Sequence, residues 1–374
     1  MCEINRYKRR ILILTNVGAG LYKFRKELLE RLINEEFDVS FSCIWDEFVP
    51  LLEKLGCKYI STPFNRRGKN VISDIRLFIR YYAIIKVRKP DVVLTYTIKP
   101  NIYGGIASRI KKIPYIVNIT GLGTELQNDN LIRKSIESMY RVSLKKPACV
   151  FFQNATNREY FIKNKLISED IKTETVPGSG VNTDQFSYAD YPNSDGANCF
   201  VYIARIMRDK GIQELLEAAK GVKALYPGTI FNLVGGYDEN YKQLIKEYED
   251  NNIIKYHGEQ NDIREYIISC HAIIHPSYHE GLSNVLLEAA ATGRPILATN
   301  VAGCRETFDE GISGFGVEVK SAESLRDTIV KFISLPHEQK AAMGIAARKK
   351  VEREFNRSFV VDKYFEAIME AVKT

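Results

Sequence analysis

The sequence predicts an α/β protein made of two doubly wound domains, each a parallel β-sheet with helices on both faces. Short apolar runs alternate with helical segments along the whole chain, as in βα units joined by right-handed crossovers. A chain of 374 residues is too long for a single hydrophobic core. A polar stretch with glycine and proline at residues 176–198 separates two such alternating series.

The first series begins with an apolar strand at residues 10–14, a glycine-bearing turn at residues 15–20 and a helix from about Tyr22 to Asn34. We assign residues 1–178 to this first domain and residues 179–198 to a linker. The further strands of the first domain are expected at residues 39–43, 59–61, 92–96, 115–119 and 149–153, and the further helices at residues 47–55, 71–88, 102–110 and 131–144.

The second domain is expected to occupy residues 199–355. The segment at residues 356–374, which follows the second domain, is expected to contain a final amphipathic helix at residues 358–372. No apolar run approaches the roughly 20 residues that a membrane-spanning helix needs. The strands of the second domain are expected at residues 199–203, 230–234, 253–257, 272–274, 296–300 and 316–319, and the helices at residues 212–225, 241–250, 262–269, 283–291, 324–334 and 337–355.

Composition and cysteine usage narrow the class of protein. The chain is 45% hydrophobic and 26% charged, which is typical of a soluble globular protein. Its seven cysteines are scattered and form no CxxC pair. This pattern indicates reduced thiols in a cytosol and argues against a zinc site.

Charge is unevenly distributed along the chain. Residues 1–175 carry 31 Lys and Arg against 18 Asp and Glu, whereas the remainder carries 22 against 28. Such a basic, aromatic-rich half indicates an anionic partner such as a membrane surface, a lipid diphosphate or a nucleic acid, with an ordinary solvated helix face as the alternative. The excess is concentrated in Arg66, Arg67, Lys69, Arg76, Arg80, Lys86, Arg88, Lys89, Lys99, Arg109, Lys111 and Lys112.

Two carboxylates, Glu280 and Glu288, flank a turn in the second domain. The apolar strand before Pro276 leads into a polar turn with Gly281, and a helix follows from about Ser283. A strand, a turn and a helix N-terminus provide outward-pointing N–H groups that favour an anion. Glu288 lies in an otherwise apolar helix, so we expect it to meet a partner or a ligand instead of open solvent.

Two cations, Arg205 and Lys210, lie on the loop that follows the strand at residues 199–203. Open α/β sheets bind ligands outside the carboxyl ends of their strands, so this loop suits a diphosphate, although a solvated basic loop is the alternative. Gly235 and Gly236 follow the strand at residues 230–234 and permit a close backbone approach to a ligand.

These residues together resemble the retaining, metal-independent glycosyltransferases of family GT4. The resemblance rests on the Arg205 and Lys210 pair and on Glu280 and Glu288, which are separated by seven intervening residues. These two carboxylates are preceded by Pro-Ser and followed by Ala-x-Ala-x-Gly-x-Pro. It implies the GT-B fold, with two Rossmann-like domains that face a central cleft. It also implies that the last helix crosses back to the first domain.

The resemblance assigns roles in the second domain. Arg205 and Lys210 would hold the donor diphosphate and stabilise the charge that grows as it leaves. Glu288 would bind the ribose hydroxyls, and Glu280 would face the transferred sugar. No metal or other cofactor is expected, because these cations supply the charge that Mg²⁺ supplies elsewhere. The backbone of the donor site would be formed by Gly281, Leu282, Ser283, Gly235 and Gly236.

The first domain would bind the acceptor. Its stretches at residues 96–105 and 118–124 are similar to bacterial enzymes that build capsule, O-antigen or lipid-linked oligosaccharides. Related enzymes often carry a histidine after the strand at residues 115–119, but all five histidines of this chain lie in its second half. A front-face mechanism, in which the leaving phosphate deprotonates the acceptor, needs no enzymic base. The expected acceptor-side residues are Asn16, Gly18, Gly20, Lys99, Asn118 and Thr120. For Gly18 and Gly20, the alternative is a tight turn that has no role in binding.

The leading hypothesis is transfer of a sugar from a nucleotide donor to a saccharide on a polyprenyl diphosphate in surface polysaccharide synthesis. The resemblance implies that the donor is UDP-linked. The basic first domain would then meet the inner face of the cell membrane, which makes the enzyme cytoplasmic and peripherally bound. A sugar-nucleotide epimerase is the first alternative. A nucleic-acid-binding protein is the second, although the chain lacks a recognisable nucleic-acid motif and nucleic acid is not an expected partner.

Overall fold

The computed structural model describes residues 8–65, 70–121, 131–193 and 197–373. They form two compact units, Met1–Ser179 with Ser358–Thr374 and Gly180–Arg357. Each unit is built around one parallel sheet. The predicted α/β class with two doubly wound domains is therefore confirmed.

The first unit contains a seven-stranded sheet in the order β3-β2-β1-β4-β5-β6-β7. Its strands are β1 (Arg10–Val17), β2 (Asp38–Ile44), β3 (Lys58–Ser61), β4 (Val92–Tyr96), β5 (Tyr115–Ile119), β6 (Cys149–Phe152) and β7 (Thr173–Thr175). Its helices before the second unit are α1 (Gly18–Asn34), α2 (Val49–Lys54), α3 (Val71–Arg88), α4 (Gly105–Ile110), α5 (Leu131–Ser143) and α6 (Ala155–Lys163), and a short π-helix at Pro100–Gly104 precedes α4.

Helices cover both faces of this sheet. One apolar cluster joins α1 and α2 to one face, and the other joins α3, α5 and α6 to the opposite face. Continuous apolar strands such as β4 are buried along their full length, as expected for a parallel sheet covered on both sides.

The second unit contains a six-stranded sheet in the order β10-β9-β8-β11-β12-β13. Its strands are β8 (Cys199–Ile203), β9 (Ile230–Val234), β10 (Lys255–Tyr256), β11 (Ala272–His275), β12 (Ile296–Thr299) and β13 (Gly314–Val317). Its helices are α7 (Ile212–Leu225), α8 (Lys242–Asp250), α9 (Arg264–Ser269), α10 (Asn284–Ala291), α11 (Ala322–Ile333) and α12 (His337–Glu354).

The last helix, α13 (Arg357–Lys373), returns to the first unit. Its apolar side joins the cluster of α1 and α2, where the Tyr364 ring stacks on Phe151 with the ring centroids 4.1 Å apart. Arg25 of α1 donates a hydrogen bond of 3.4 Å from its guanidinium to the Tyr364 hydroxyl. The last helix is therefore part of the core of the first unit.

The predicted glycine turn at residues 15–20 is wrong. Strand β1 continues to Val17 with a register shift against β2, and α1 begins directly at Gly18. The Asp46 carboxylate explains this short junction, because it accepts a hydrogen bond of 2.9 Å from the Ala19 N–H at the helix start. A Cβ on Gly18 would lie 2.6 Å from the same carboxylate, so this glycine makes room for Asp46.

Three other details differ from the sequence expectation. Strand β7 and helix α6 were not predicted, because β7 has only three residues, all polar, and α6 depends on an Asn154 cap whose side chain accepts from the Asn157 N–H. Strand β13 begins at Gly314 and not at Gly316. Gly314 belongs to the strand because a Cβ there would lie 2.3 Å from the Ile296 carbonyl oxygen of β12.

The segment predicted as a linker at residues 179–198 is largely part of the second unit, which begins at Gly180. Val181 and Phe186 are buried in a core cluster of that unit. The fully buried Arg294 guanidinium donates hydrogen bonds of 2.9 Å to the Ala189 and Asp190 carbonyl oxygens. These contacts fix the segment, so its polar composition reflects turns and not freedom of movement. Residues 194–196 of the predicted linker lie outside the described residues.

Candidate active site

The candidate donor site lies at the carboxyl ends of β8 and β11. These strands are adjacent and parallel in the centre of the second sheet, with Phe200 opposite Ala272. The chain order reverses between them, since β9 lies on one side of β8 and β11 on the other. Doubly wound sheets bind ligands at such a switch point. The loops that carry Lys210 and Glu280 both begin here.

The two loops pack closely together through their backbones. The Asp209 carbonyl oxygen accepts hydrogen bonds of 2.9 Å from the Tyr278 N–H and of 3.3 Å from the Ser277 hydroxyl. Gly211 has a φ of +70°, and a Cβ there would lie 2.1 Å from the Pro276 carbonyl oxygen. A glycine is therefore required where the first loop meets the second.

One carboxylate oxygen of Glu280 has two cationic or potentially cationic neighbours. Lys210 Nζ lies 2.5 Å from Glu280 Oε1, and His275 Nε2 lies 2.8 Å from the same oxygen. Burial by itself would raise the pKa of Glu280, but the hydrogen bond from His275 and the charge of Lys210 outweigh it and hold that pKa well below its usual range. Glu280 is therefore a carboxylate at neutral pH in the donor-free protein.

His275 ends β11 and is buried beneath the turn. Its Nε2 faces the Glu280 carboxylate and also lies 3.3 Å from the Ser283 hydroxyl. Because a carboxylate can only accept, Nε2 carries the proton of this contact. No role was predicted for His275 from the sequence, so this contact was missed. A histidine at a strand end, five residues before the carboxylate, was the available signal.

The turn after Glu280 is held from the other side by Gly303. The Ser283 N–H donates a hydrogen bond of 2.8 Å to the Gly303 carbonyl oxygen, so this N–H is engaged within the protein. Leu282 is buried in the core of the second unit. The backbone of Gly281, Leu282 and Ser283 was predicted to line the donor site. Two of these residues, Leu282 and Ser283, instead anchor the turn to the rest of the second unit.

Helix α10 presents a narrow accessible face. Its leucines and alanines are buried, whereas Asn284, Val285 and Glu288 are partly exposed on one side. The buried Asn284 side-chain oxygen has no hydrogen-bond partner among the described residues. Glu288 therefore lies on the partly exposed side of the helix, one turn beyond Asn284, and its contact with a ribose stays a prediction.

Arg205 is directed to a different loop from Lys210. Arg205 Nη1 lies 2.5 Å from Asp238 Oδ2, in the loop that follows β9. Close packing explains why both Gly235 and Gly236 are glycines. A Cβ on Gly235 would lie 1.8 Å from the Ala204 carbonyl oxygen, and a Cβ on Gly236 would lie 2.9 Å from a Glu259 carboxylate oxygen. Asp238 as the partner of Arg205 was not predicted.

The residues predicted for the acceptor side lie at the carboxyl edge of the first sheet. Asn16 is near the end of β1, and its side-chain oxygen is buried without a partner among the described residues. Nothing would lie within 4 Å of a Cβ on Gly20, which leaves this first turn of α1 open. The start of α1 already holds the Asp46 carboxylate beside Gly18.

Lys99, Asn118 and Thr120 lie after β4 or at the end of β5. Lys99 Nζ lies 2.7 Å from Asp74 Oδ1 of α3. The buried Asn118 side chain donates a hydrogen bond of 2.9 Å to the Thr95 carbonyl oxygen, which ties β5 to β4. Thr120 is half-buried directly after β5. The similar stretch at residues 122–124 lies outside the described residues.

Within the described ranges, no group of three or more His, Cys, Asp or Glu side chains is placed to hold a metal ion. His271 lies at the opposite end of β11 from the candidate site, buried beside the start of β8, and its Nδ1 accepts a hydrogen bond of 3.0 Å from the Cys199 N–H. This histidine is part of the core. The absence of a metal requirement stays a prediction.

Comparisons with known proteins match both units. Residues 10–154 match the family described as glycosyl transferase 4-like, and residues 185–350 match the glycosyl transferases group 1. A Campylobacter jejuni protein named N,N'-diacetylbacillosaminyl-diphospho-undecaprenol alpha-1,3-N-acetylgalactosaminyltransferase is 27% identical, over 97% of this chain and 99% of its own. An Escherichia coli UDP-Gal:alpha-D-GlcNAc-diphosphoundecaprenol alpha-1,3-galactosyltransferase is 26% identical, over 84% of each chain.

Solved structures show the same fold. A glycosyltransferase from Rickettsia africae has a TM-score of 0.78 at 21% identity, over 98% of this chain and 100% of its own. Anabaena HepE, solved with UDP and glucose, has a TM-score of 0.77 at 17% identity, over 97% of this chain and 100% of its own. The protein is thus a glycosyltransferase with the GT-B fold. Its first domain belongs to the glycosyl transferase 4-like family, and its second domain belongs to the glycosyl transferases group 1.

Proposed function

We propose that this enzyme transfers a sugar from a UDP-linked donor to a saccharide carried by a polyprenyl diphosphate, during synthesis of a surface polysaccharide. The observation that carries the proposal is the Lys210 and Glu280 pair at the switch point of the second sheet. The names of the Campylobacter and Escherichia relatives support the acceptor class, and the second name also supports UDP. The transferred hexose or N-acetylhexosamine and its linkage are left to experiment.

The donor diphosphate competes with two carboxylates of the enzyme for its cations. Lys210 exchanges Glu280 for a phosphate oxygen, and Arg205 exchanges Asp238 for another. Both cations then stabilise the negative charge that grows on the diphosphate as its bond to the sugar breaks. Glu280, still held by His275, is left with an oxygen that faces the sugar. Glu288 accepts hydrogen bonds from the ribose hydroxyls.

The transfer proceeds with retention and without a metal in this proposal. The bond between the anomeric carbon and the diphosphate oxygen breaks, and the acceptor oxygen bonds to the same face of that carbon. The acceptor proton moves to the departing diphosphate oxygen, so no enzymic base is needed. The low pKa of Glu280 in the donor-free enzyme supports this assignment, because the His275 hydrogen bond that contributes to it stays in place and an ionised carboxylate stabilises positive charge on the sugar.

The acceptor side of the proposal is the first unit, at the cytoplasmic face of the cell membrane. That unit holds most of the basic excess of the chain. In the part of the chain that the structure describes, we find no helix whose length and apolar character would let it traverse a bilayer. Attachment is therefore proposed to be peripheral, through attraction between basic residues and anionic headgroups.

The test compares site variants with matched surface variants. Lys210→Ala and Glu288→Ala are expected to abolish transfer, whereas Lys220→Ala and Glu217→Ala on the exposed side of α7 retain it. Melting curves recorded with UDP, GDP and ADP sugars identify the donor, because a bound donor stabilises the fold by mass action. Wild-type transfer rates in both site variants would refute the proposal. Conversion of the donor without any acceptor would indicate an epimerase instead.

A further inference from the structure

Helix α3 carries two apolar stripes on opposite sides. The outer stripe consists of Ile72, Ile75 and Ile79, which are 62%, 53% and 57% exposed. Spacings of three and four residues place these side chains on one face. The inner stripe faces the sheet and consists of the buried residues Leu77, Tyr81, Ile84 and Ile85. Because the inner stripe already anchors the helix, the described residues of the first unit do not account for the outer stripe.

The outer stripe is bordered by positive charge. Arg76 and Lys86 are exposed beside it on the helical surface. The one acidic residue of α3, Asp74, is bonded to Lys99 at 2.7 Å and to the Tyr103 hydroxyl at 3.0 Å. The exposed basic residues of the helix and its C-terminal cap, namely Arg76, Arg80, Lys86 and Lys89, therefore dominate the charge of this surface.

The position of α3 relates this stripe to the acceptor side of the first unit. Lys99 follows the carboxyl end of β4, and its Nζ lies 2.7 Å from Asp74 Oδ1 in the first turn of α3 and 3.0 Å from the Asn65 carbonyl oxygen. The start of the stripe is thus tied to the sheet edge that carries the candidate acceptor residues. A surface that binds the outer stripe would lie beside that edge.

We propose that the outer stripe of α3 inserts shallowly into an anionic bilayer, with Arg76 and Lys86 near the lipid phosphates. An exposed aliphatic stripe bordered by cations is the pattern of helices that lie in a membrane interface. Insertion brings the carboxyl edge of the first sheet to the surface where a lipid-linked diphosphate is presented. This inference deepens the proposed function by assigning the membrane contact to one helix face.

The charge of the stripe argues against a second copy of this chain as its occupant. A two-fold symmetric contact would place the same surface on both partners. The basic residues around the stripe would then face one another, and such like-charge contacts are unfavourable. An anionic bilayer satisfies both the apolar stripe and its basic border.

Binding to vesicles tests this inference without any sugar donor or acceptor. The full-length protein is sedimented with vesicles of phosphatidylcholine alone, or of phosphatidylcholine and phosphatidylglycerol in equal parts. We expect binding to the second kind, weakened by salt. Ile75→Glu with Ile79→Glu lowers the affinity by more than about tenfold. Arg76→Gln and Lys86→Gln each lower it by about fivefold.

Leu225→Glu is the matched control, because Leu225 is 62% exposed at the end of a helix in the second unit. It is expected to bind vesicles like the wild type. Circular dichroism verifies that every variant is folded. Equal vesicle binding by the double isoleucine variant and the wild type would overturn the inference. So would a wild-type dimer in solution that the same variant converts to monomers.

The test separates this inference from the proposed function. If Lys210→Ala retains transfer while the isoleucine variant loses vesicle binding, the proposed function fails and the membrane surface stands. If Lys210→Ala abolishes transfer while the isoleucine variant binds vesicles normally, the membrane surface fails and the proposed function stands.

Discussion

Lys210 Nζ and Glu280 Oε1 lie 2.5 Å apart, and they connect the loops that follow two adjacent central strands of the second sheet. Both side chains are largely buried, so each is the principal counter-charge of the other. In the proposed function, a phosphate that binds Lys210 competes with a carboxylate that already occupies this position. The pair therefore links donor binding to the release of the carboxylate assigned to the sugar.

The first prediction follows from this competition. Glu280→Gln is expected to reduce transfer by at least about a hundredfold, because the fixed charge opposite the sugar is lost. The same variant is expected to bind UDP about three- to tenfold more tightly, since Lys210 no longer has a carboxylate partner. Calorimetric titration with UDP measures this gain, and Glu217→Gln serves as the control. Weaker UDP binding by Glu280→Gln would show that the carboxylate assists the diphosphate.

The second prediction concerns acid stability. The pKa of Glu280 is below its usual range in the folded protein, despite burial, because of His275 and Lys210. A depressed folded pKa contributes stability that is present above the unfolded pKa of about 4.3 and is lost as the pH falls below it. Between about pH 6 and pH 3, wild type should lose up to about 2 kcal/mol more than Glu280→Gln. Urea unfolding at both pH values measures this difference, and equal losses would contradict the assigned ionisation.

The third prediction uses two glycines with the same backbone conformation. Gly211 and Gly258 both have a φ of +70°, but only a Cβ on Gly211 would meet another atom, the Pro276 carbonyl oxygen at 2.1 Å. Gly258→Ala is expected to cost about 1 kcal/mol, the usual cost of this conformation for alanine. Gly211→Ala should cost more and should weaken donor binding, because the Lys210 loop is forced away from Pro276. Similar unfolding energies and UDP affinities for the two variants would refute the loop contact.

The fourth prediction concerns α13. Tyr364→Ala is expected to lower the stability of the first unit by about 3–5 kcal/mol, since it removes the ring stacked on Phe151. Phe359→Ala, at an exposed position on the same helix, should have little effect. Hydrogen exchange resolves the two units, and faster exchange is expected in α1 and β6 but not in β8. An equal effect on both units would show that α13 stabilises more than the first unit.

Much of the fold was predictable because parallel strands buried on both faces have continuous apolar sequences. Strands β4, β5, β8 and β9 begin and end where the sequence predicts. The errors occur where a contact distant in sequence determines the local structure. Asp46 removes the expected turn before α1, and the Ile296 carbonyl determines where glycine-containing β13 begins.

The candidate site likewise has some features that the sequence predicts and others that it does not. The sequence predicts that Lys210 and Glu280 each lie in a loop after a strand of the second sheet, whereas the strand order that brings the two loops together comes from the structure. The pairing of Arg205 with Asp238 and the hydrogen bond of His275 to Glu280 depend on which of several neighbouring polar groups each side chain meets. No sequence pattern near these residues predicts which partner each side chain bonds. The roles assigned to these residues stay predictions until the variants are measured.

The return of α13 to the first unit has a consequence for synthesis on the ribosome. Val360, Tyr364 and Ile368 belong to the same core as α1. The first unit therefore lacks part of its interior until those residues leave the exit tunnel, by which time the whole second unit has been made. The second unit can fold first, although it is later in the sequence, and the nascent first unit must keep an apolar groove beside Arg25 and Phe151 uncovered until then.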